Sequence, residues 1–253
     1  MAKQKSTLRF SEKAANYNLY RPSYPPVIIE WLKKSINLQL QQSIADIGSG
    51  TGIFSAIFLQ ANYTVYGIEP NEPMRQFAET NFASQKNFHS IDGTAEQTNL
   101  PNNSVDLITV AQAFHWFDLP VVKKEFQRIL KPNGYVLLAW NILQSNTPFL
   151  KAYALLKEKY EEQDAHPDHA DSIMINHFFA PQPVIKQEIE NVQWRDADGL
   201  KGLLLSSSKI PQPQDERYAS MMNELQQIIE KYAVNGKFEL IYSTKLYLAK
   251  LND

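Results

Sequence analysis

There is no cysteine among the 253 residues of the chain. That excludes disulfides and thiolate chemistry and fits a reducing compartment. At this length the chain can bury a substantial core without cross-links. No segment approaches the ~18 consecutive apolar residues of a membrane-spanning helix. The first residues, Met1-Ala-Lys-Gln-Lys-Ser-Thr7, lack the apolar core of a secretory signal. An excess of either charge is missing too, since 25 Lys and Arg against 27 Asp and Glu leave a formal net charge of −2. Nothing in that balance favours a nucleic-acid backbone as partner. These absences lead us to expect a cytoplasmic protein with no nucleic acid and no membrane as partner.

Glycine is sparse, at 9 residues, so its clustering is informative. Gly48, Gly50 and Gly52 stand at alternate positions in Ser43-Ile-Ala-Asp-Ile-Gly-Ser-Gly-Thr-Gly-Ile-Phe54. A short apolar run ends there in an acid, passes through the glycines and enters a helical pattern. Glycine permits positive φ and lets a ligand approach the backbone. A helix start behind it offers unpaired N–H groups. Thr64-Val-Tyr-Gly-Ile-Glu69 follows as a second strand ending in an acid, the offset at which nucleotide-binding α/β units bond a ribose.

Periodicity extends this pattern along the chain. Pro25 and Pro26 suit a first helical turn, and Ile28, Trp31, Leu32 and Ile36 follow helical spacing. Strands are expected at 43–47, 64–69, 88–91, 105–111 and 135–140. Helices are expected at 52–61, from Glu72 through Ala78, and through Val122, Phe126 and Ile129 up to the stop Lys131-Pro-Asn-Gly134. The alternation argues for a parallel sheet with helices on both faces. Residues 146–180 read as one or two helices forming a cap. A strand at 184–194, a helical stripe from Met221 to Tyr232 closed by Asn235-Gly236, and an alternating strand from Phe238 to Leu248 complete the pattern.

The string Ala45-Asp-Ile-Gly-Ser-Gly-Thr-Gly52 resembles the first motif of class I S-adenosyl-L-methionine (SAM)-dependent methyltransferases, of the type 11 kind. Asp92-Gly-Thr-Ala-Glu96 resembles that family's adenine-binding turn, and Gln127 to Gly134 resembles the turn before its fifth strand, with Asn133 in place of a glycine. Two further segments, Tyr17-Asn-Leu-Tyr-Arg-Pro-Ser-Tyr24 and Ala111-Gln-Ala-Phe-His-Trp-Phe-Asp118, resemble the trans-aconitate-methyltransferase-like members. The resemblance implies a Rossmann-like, seven-stranded, mostly parallel α/β sheet with an antiparallel last strand and a small helical cap insertion. The single domain would comprise an N-terminal lid (1–35), a SAM-binding core (36–145), the cap (146–182) and a C-terminal part (183–253).

By the same resemblance the cofactor is SAM, the product S-adenosyl-L-homocysteine (SAH) and the methyl acceptor a small-molecule substrate. Asp46, Gly48, Ser49, Gly50, Thr51 and Gly52 would surround the methionine part, and Glu69 and Pro70 would lie at the ribose. Met74, Thr94, Ala95 and Glu96 would lie at the adenine, with Ala111 after strand 4. Arg21 would pair with the SAM carboxylate or with an acidic substrate. Tyr17, Tyr20, Tyr24 and Trp116 are the candidates for the substrate. His115 is the candidate catalytic base, needed for a hydroxyl acceptor and not for a carboxylate. SAM binding without catalysis is the competing function. The loose spacing of His166, His169 and His177 does not make a metal site.

Overall fold

The structure is a computed structural model that describes residues 18–162, 171–207 and 209–251. Pro26 leads into helix α1 (Val27–Ile36), and β1 (Ser43–Ile47) follows. Then come α2 (Ser55–Gln60), β2 (Thr64–Ile68), α3 (Glu72–Asn81), β3 (Phe88–Ile91) and β4 (Val105–Ala111). A single 3-10 turn (Phe114–Trp116) precedes α4 (Leu119–Ile129) and β5 (Leu130–Leu143). The remainder is α5 (Pro148–Tyr160), α6 (Ser172–Phe179), β6 (Ile185–Arg195), α7 (Ala197–Leu205), α8 (Tyr218–Tyr232) and β7 (Phe238–Lys250).

The seven strands form one sheet in the order β3-β2-β1-β4-β5-β7-β6. β1 to β5 pair in parallel, and β7 runs antiparallel to both β5 and β6. Alternation along each strand sorts side chains to two faces. Ala45, Ile47, Ile108, Val110, Val136 and Leu138 meet α4 and α6 on one face. Ile44, Leu107, Leu137 and Leu246 meet α1 and α2 on the other. A third cluster unites α5, α7 and α8 with Phe238, Leu240 and Tyr242 at the start of β7. The described residues of 146–182 thus supply two helices that pack in different places.

Several elements depart from the periodicity. Helix α2 begins at Ser55, later than residue 52, because positive φ at Gly48, Gly50 and Gly52 makes the intervening chain a series of turns. β5 starts as early as Leu130: Val105 pairs with Leu130 and Leu107 with Tyr135, so 131–134 loop out between them, with Asn133 left-handed at φ 64°. Helix α7 lacks a clear periodic signal in the sequence. Gly199 and Gly202 blur its apolar stripe, but the Asp196 side chain caps it by accepting from Gly199 N–H at 2.8 Å. Asn235 and Gly236 at φ 51° and 73° form a two-residue turn, bonded Val234 to Lys237 in both directions, that feeds β7.

Candidate active site

β1 lies between β2 and β4, so the sheet order reverses there and a crevice opens beyond the carboxyl ends of these strands. The glycine loop fills its floor. Gly48 N–H and Ser49 N–H both donate to Ile68 O at the end of β2 (2.8 and 3.1 Å). Glu69, directly after β2, accepts from Gly50 N–H at 3.0 Å and Asn71 N–H at 2.8 Å. Burial pushes its carboxyl above the usual range against those two bonds and the Arg75 guanidinium. A side chain at Gly48 would drive a Cβ to 2.8 Å from Ala113 Cβ, whereas at Gly50 the nearest atom is Met74 Sδ at 3.6 Å.

Asp46 is buried beneath the loop. Its carboxylate accepts from Ser55 Oγ (2.6 Å) and Thr109 Oγ1 (2.9 Å), tying α2 and β4 to the end of β1. Burial raises its carboxyl to about 6, and the two hydroxyls work in the opposite sense. The 3-10 turn is anchored by Phe114, which lies edge-on to Trp140 and Phe178 with centroids 6.3 and 4.9 Å apart. That anchor delivers His115 and Trp116 to the crevice.

A cavity of about 590 Å³ runs through the crevice. Of the residues singled out in the sequence, Arg21, Tyr24, Asp46, Gly48, Ser49, Gly50, Thr51, Ala111, His115 and Trp116 line it. Gly52, Glu69, Pro70, Met74, Thr94, Ala95, Glu96 and Tyr20 do not. Glu69 and Met74 flank Gly50 instead. Thr94 and Gln97 close a separate turn through paired backbone bonds of 3.0 and 3.2 Å. Glu96 joins that turn to the His115 segment by accepting from Asp118 N–H at 3.1 Å. The Tyr20 ring lies against Gly202 of α7. Tyr17, His166 and His169 lie outside the described residues, and His177 sits in the last turn of α6. Among the described residues no group of three or more His, Asp or Glu side chains is placed to hold a metal ion.

The cavity also recruits residues without a sequence-level role: Gln112, Trp140 and Asn141 from the strand ends, Tyr153, Lys157 and Glu161 around α5, Ser207 and Lys209 after α7, and Tyr242 of β7. Gln112 is held at φ 56° with its amide donating to Asn141 O at 3.0 Å; a positive φ outside glycine is uncommon. Arg21 donates from Nη2 to Ser206 O at 3.1 Å, which fixes the N-terminal segment to the end of α7. Ser23 O accepts side-chain amides of Asn141, Asn191 and Gln193 (3.1, 2.8 and 2.9 Å). Tyr24 packs its ring on Phe54 at 4.5 Å.

A dinucleotide-type or SAM-type ligand is compatible with this floor. The loop offers glycines at positive φ, an acid at the second strand, and the buried Thr51 Oγ1, which has no hydrogen-bond partner among the described residues. An unpartnered buried polar atom costs about 1–3 kcal/mol, which a polar ligand would relieve.

Comparison with known proteins chooses between these ligands. Residues 45–138 match the family model of a methyltransferase domain. An uncharacterized methyltransferase of Schizosaccharomyces pombe is 32% identical over 155 residues, covering 59% of each chain. Over its glycine-loop half the chain is similar to methyltransferases. It spans about three fifths of that relative's length. Another relative of this chain is a malonyl-[acyl-carrier protein] O-methyltransferase of Marinomonas, 25% identical over 77% of this chain and 73% of its own. A candidate type II methyltransferase from Anaeromyxobacter dehalogenans has a like fold, with TM-score 0.68 over 92% of this chain and 99% of its own, at 18% identity. No helix among the described residues is long and apolar enough to cross a membrane.

Proposed function

We propose that this chain is a class I SAM-dependent methyltransferase that carries the methyl group of SAM to a carboxylate oxygen of a small molecule. The observation that carries the proposal is the continuous cavity that joins the glycine loop to Arg21, His115 and Trp116. The Marinomonas relative, whose name places it on malonyl-[acyl-carrier protein], supports the same acceptor chemistry, since a malonyl group ends in a carboxylate. SAM supplies a methyl group already activated by its sulfonium. The work of the chain is to align and to exclude water. Gly48 and Gly50 keep the backbone bare for the methionine part, and Glu69 would accept from the ribose hydroxyls. Tyr24 and Trp116 present aromatic surface, which favours a positively charged group. A carboxylate is ionised near pH 7 and needs no base.

The place of His115 in the cavity wall favours one alternative, a hydroxyl acceptor with His115 as base. Calorimetric titration with SAH, on wild type and Glu69→Ala, tests the shared part of both readings. Loss of the ribose bonds is expected to weaken SAH by roughly tenfold or more. Absence of SAH binding to wild type would end both. Turnover of short carboxylic acids with SAM then separates them. A carboxylate acceptor predicts that His115→Ala lowers kcat by less than about tenfold, whereas the ~10²–10⁴ loss typical of acid–base catalysis would select the hydroxyl. SAH binding with no turnover of acids or alcohols would point to a binding protein instead.

A further inference from the structure

Trp140 lines the cavity and is only 1% exposed, yet its indole Nε1 has no hydrogen-bond partner among the described residues. An indole N–H is a donor and never an acceptor. Buried donors are nearly always paired, so an orphan calls for a reason. The ring is clamped edge-on between Phe114 and Tyr247, with centroids 6.3 and 5.8 Å away and planes at 88° and 81°. Aromatic neighbours are weak partners for an N–H, and this packing leaves the indole little freedom to turn towards a better one. Trp140 is also the first residue of β5 beyond its pairing with β4, which ends with Ala111 opposite Ala139. Gln112 brackets it. The Gln112 backbone N–H donates to Ala139 O and its side-chain amide to Asn141 O, both at 3.0 Å, so the residues on either side of Trp140 are tied to one anchor. Gln112 holds φ at 56° in doing so. Strained backbone of this kind persists where its surroundings over-determine it, and it clusters at functional sites. The orphan donor and its strained bracket meet at the carboxyl ends of β4 and β5, where open α/β sheets bind ligands.

We propose that Trp140 Nε1–H is the donor that orients the methyl acceptor in the cavity. The inference rests on the carboxylate reading above. The indole takes the carboxylate oxygen that is not methylated and leaves the lone pairs of the other free for the methyl group. Transfer then makes an ester and SAH from a carboxylate and a sulfonium, and no proton has to move. A donor-only group engages an oxygen lone pair and offers nothing to an ammonium, so the site favours acids over amines of the same length. Because the indole is uncharged, it binds the carboxylate less tightly than a guanidinium would and draws less charge away from the attacking oxygen.

The experiment is proton–nitrogen correlation NMR on the SAH-saturated protein with labelled indoles. The chain has four tryptophans, and the signal missing from Trp140→Phe assigns the one in question. Through-space contacts to the Phe114 and Tyr247 rings give the same assignment without the variant. Straight-chain acids from acetate to octanoate are added, and then the alcohols and amines of the same lengths. At least one acid is expected to move the Trp140 proton downfield, as hydrogen bonding does, while the amines leave it in place. SAH alone should not move it. Trp140→Phe keeps a ring in the site and should lower kcat/KM for that acid about tenfold, the worth of one hydrogen bond, with SAH affinity unchanged. A signal that no acid or alcohol moves would overturn the inference, as would wild-type turnover of the acid by Trp140→Phe. So would a shift on SAH binding with a parallel loss of SAH affinity in the variant, since the donor would then belong to the cofactor. A shift with an alcohol and with no acid would leave Trp140 as the acceptor's donor and end the carboxylate reading alone. Methylation of an acid that does not move the signal would do the reverse.

Discussion

The two walls of the cavity are made in different ways. The floor comes from one short stretch, Asp46 and Gly48 to Thr51, backed from outside the cavity by Gly52 and Glu69, and it works largely through backbone: positive φ at Gly48, Gly50 and Gly52 and N–H groups tied to Ile68 O and Glu69. The opposing wall is assembled from Arg21, α5, the segment after α7 and Tyr242, parts far apart in the chain, and it works through long side chains. Backbone geometry tolerates almost no substitution, while side-chain chemistry can be exchanged residue by residue. Cofactor binding should therefore be brittle and acceptor choice adjustable.

The largest expected break in that contrast is Gly50→Ala. The new Cβ has room in the protein, with Met74 Sδ the nearest atom at 3.6 Å, yet φ is 58°. The left-handed backbone costs a non-glycine residue about 1–2 kcal/mol. Because the methyl also stands where the ligand approaches, SAH affinity should fall about a hundredfold while the protein still folds. Calorimetry and thermal unfolding on the same sample check this. Unchanged SAH affinity would remove the floor from the cofactor site.

The same contrast governs what could be read in advance. The glycine loop, the acid at Glu69 and six of the seven strands to within a residue or two follow from local pattern, whereas the single reversed strand is implied by the family resemblance. Asn133 takes the left-handed conformation at the turn where it replaces a glycine. The α5 wall was not legible, although one signal existed: Lys157 and Glu161 follow the buried Tyr153 at steps of four residues, at the edge of the apolar stripe and just past the helix end. Nothing local says that these residues share a cavity with Arg21, more than a hundred residues earlier. Asn141, Asn191 and Gln193 are similar. They sit at inward strand positions, where polar residues need partners, but only the fold reveals that the partner is Ser23 O.

A second, smaller difference between the walls lies in stability. Asp46 is buried, and burial raises its carboxyl to about 6. The folded protein thus binds this proton more tightly than the unfolded chain, so stability falls as pH rises from about 4 towards 6 and the cost persists above. Asp46→Asn should gain about 2 kcal/mol over wild type at pH 8 and almost nothing at pH 4. Urea unfolding at the two pH values measures it. An Asp46→Asn effect equal at both pH values would mean that its hydroxyl partners, and not its charge, set the energetics.

The smallest effect should come from the seam that joins the N-terminal segment to α7. Gly202 lies inside that helix, where glycine is roughly 1 kcal/mol worse than alanine. The Tyr20 ring explains its presence, since a Cβ at Gly202 would collide with that ring. Gly202→Ala alone should then be neutral to destabilising by about 1 kcal/mol, because displacement of Tyr20 offsets the gain in helix propensity. In a Tyr20→Ala background the same change should become stabilising by about 0.5–1 kcal/mol. The reversal of sign in this double-mutant cycle, measured by chemical unfolding, isolates the contact from the intrinsic preference of the helix. SAH affinity should stay constant across all three variants, because neither Tyr20 nor Gly202 touches the glycine floor. If SAH affinity followed the Tyr20 contact instead, the two walls would be energetically coupled, and the division between a brittle cofactor floor and an adjustable acceptor wall would fail at this seam.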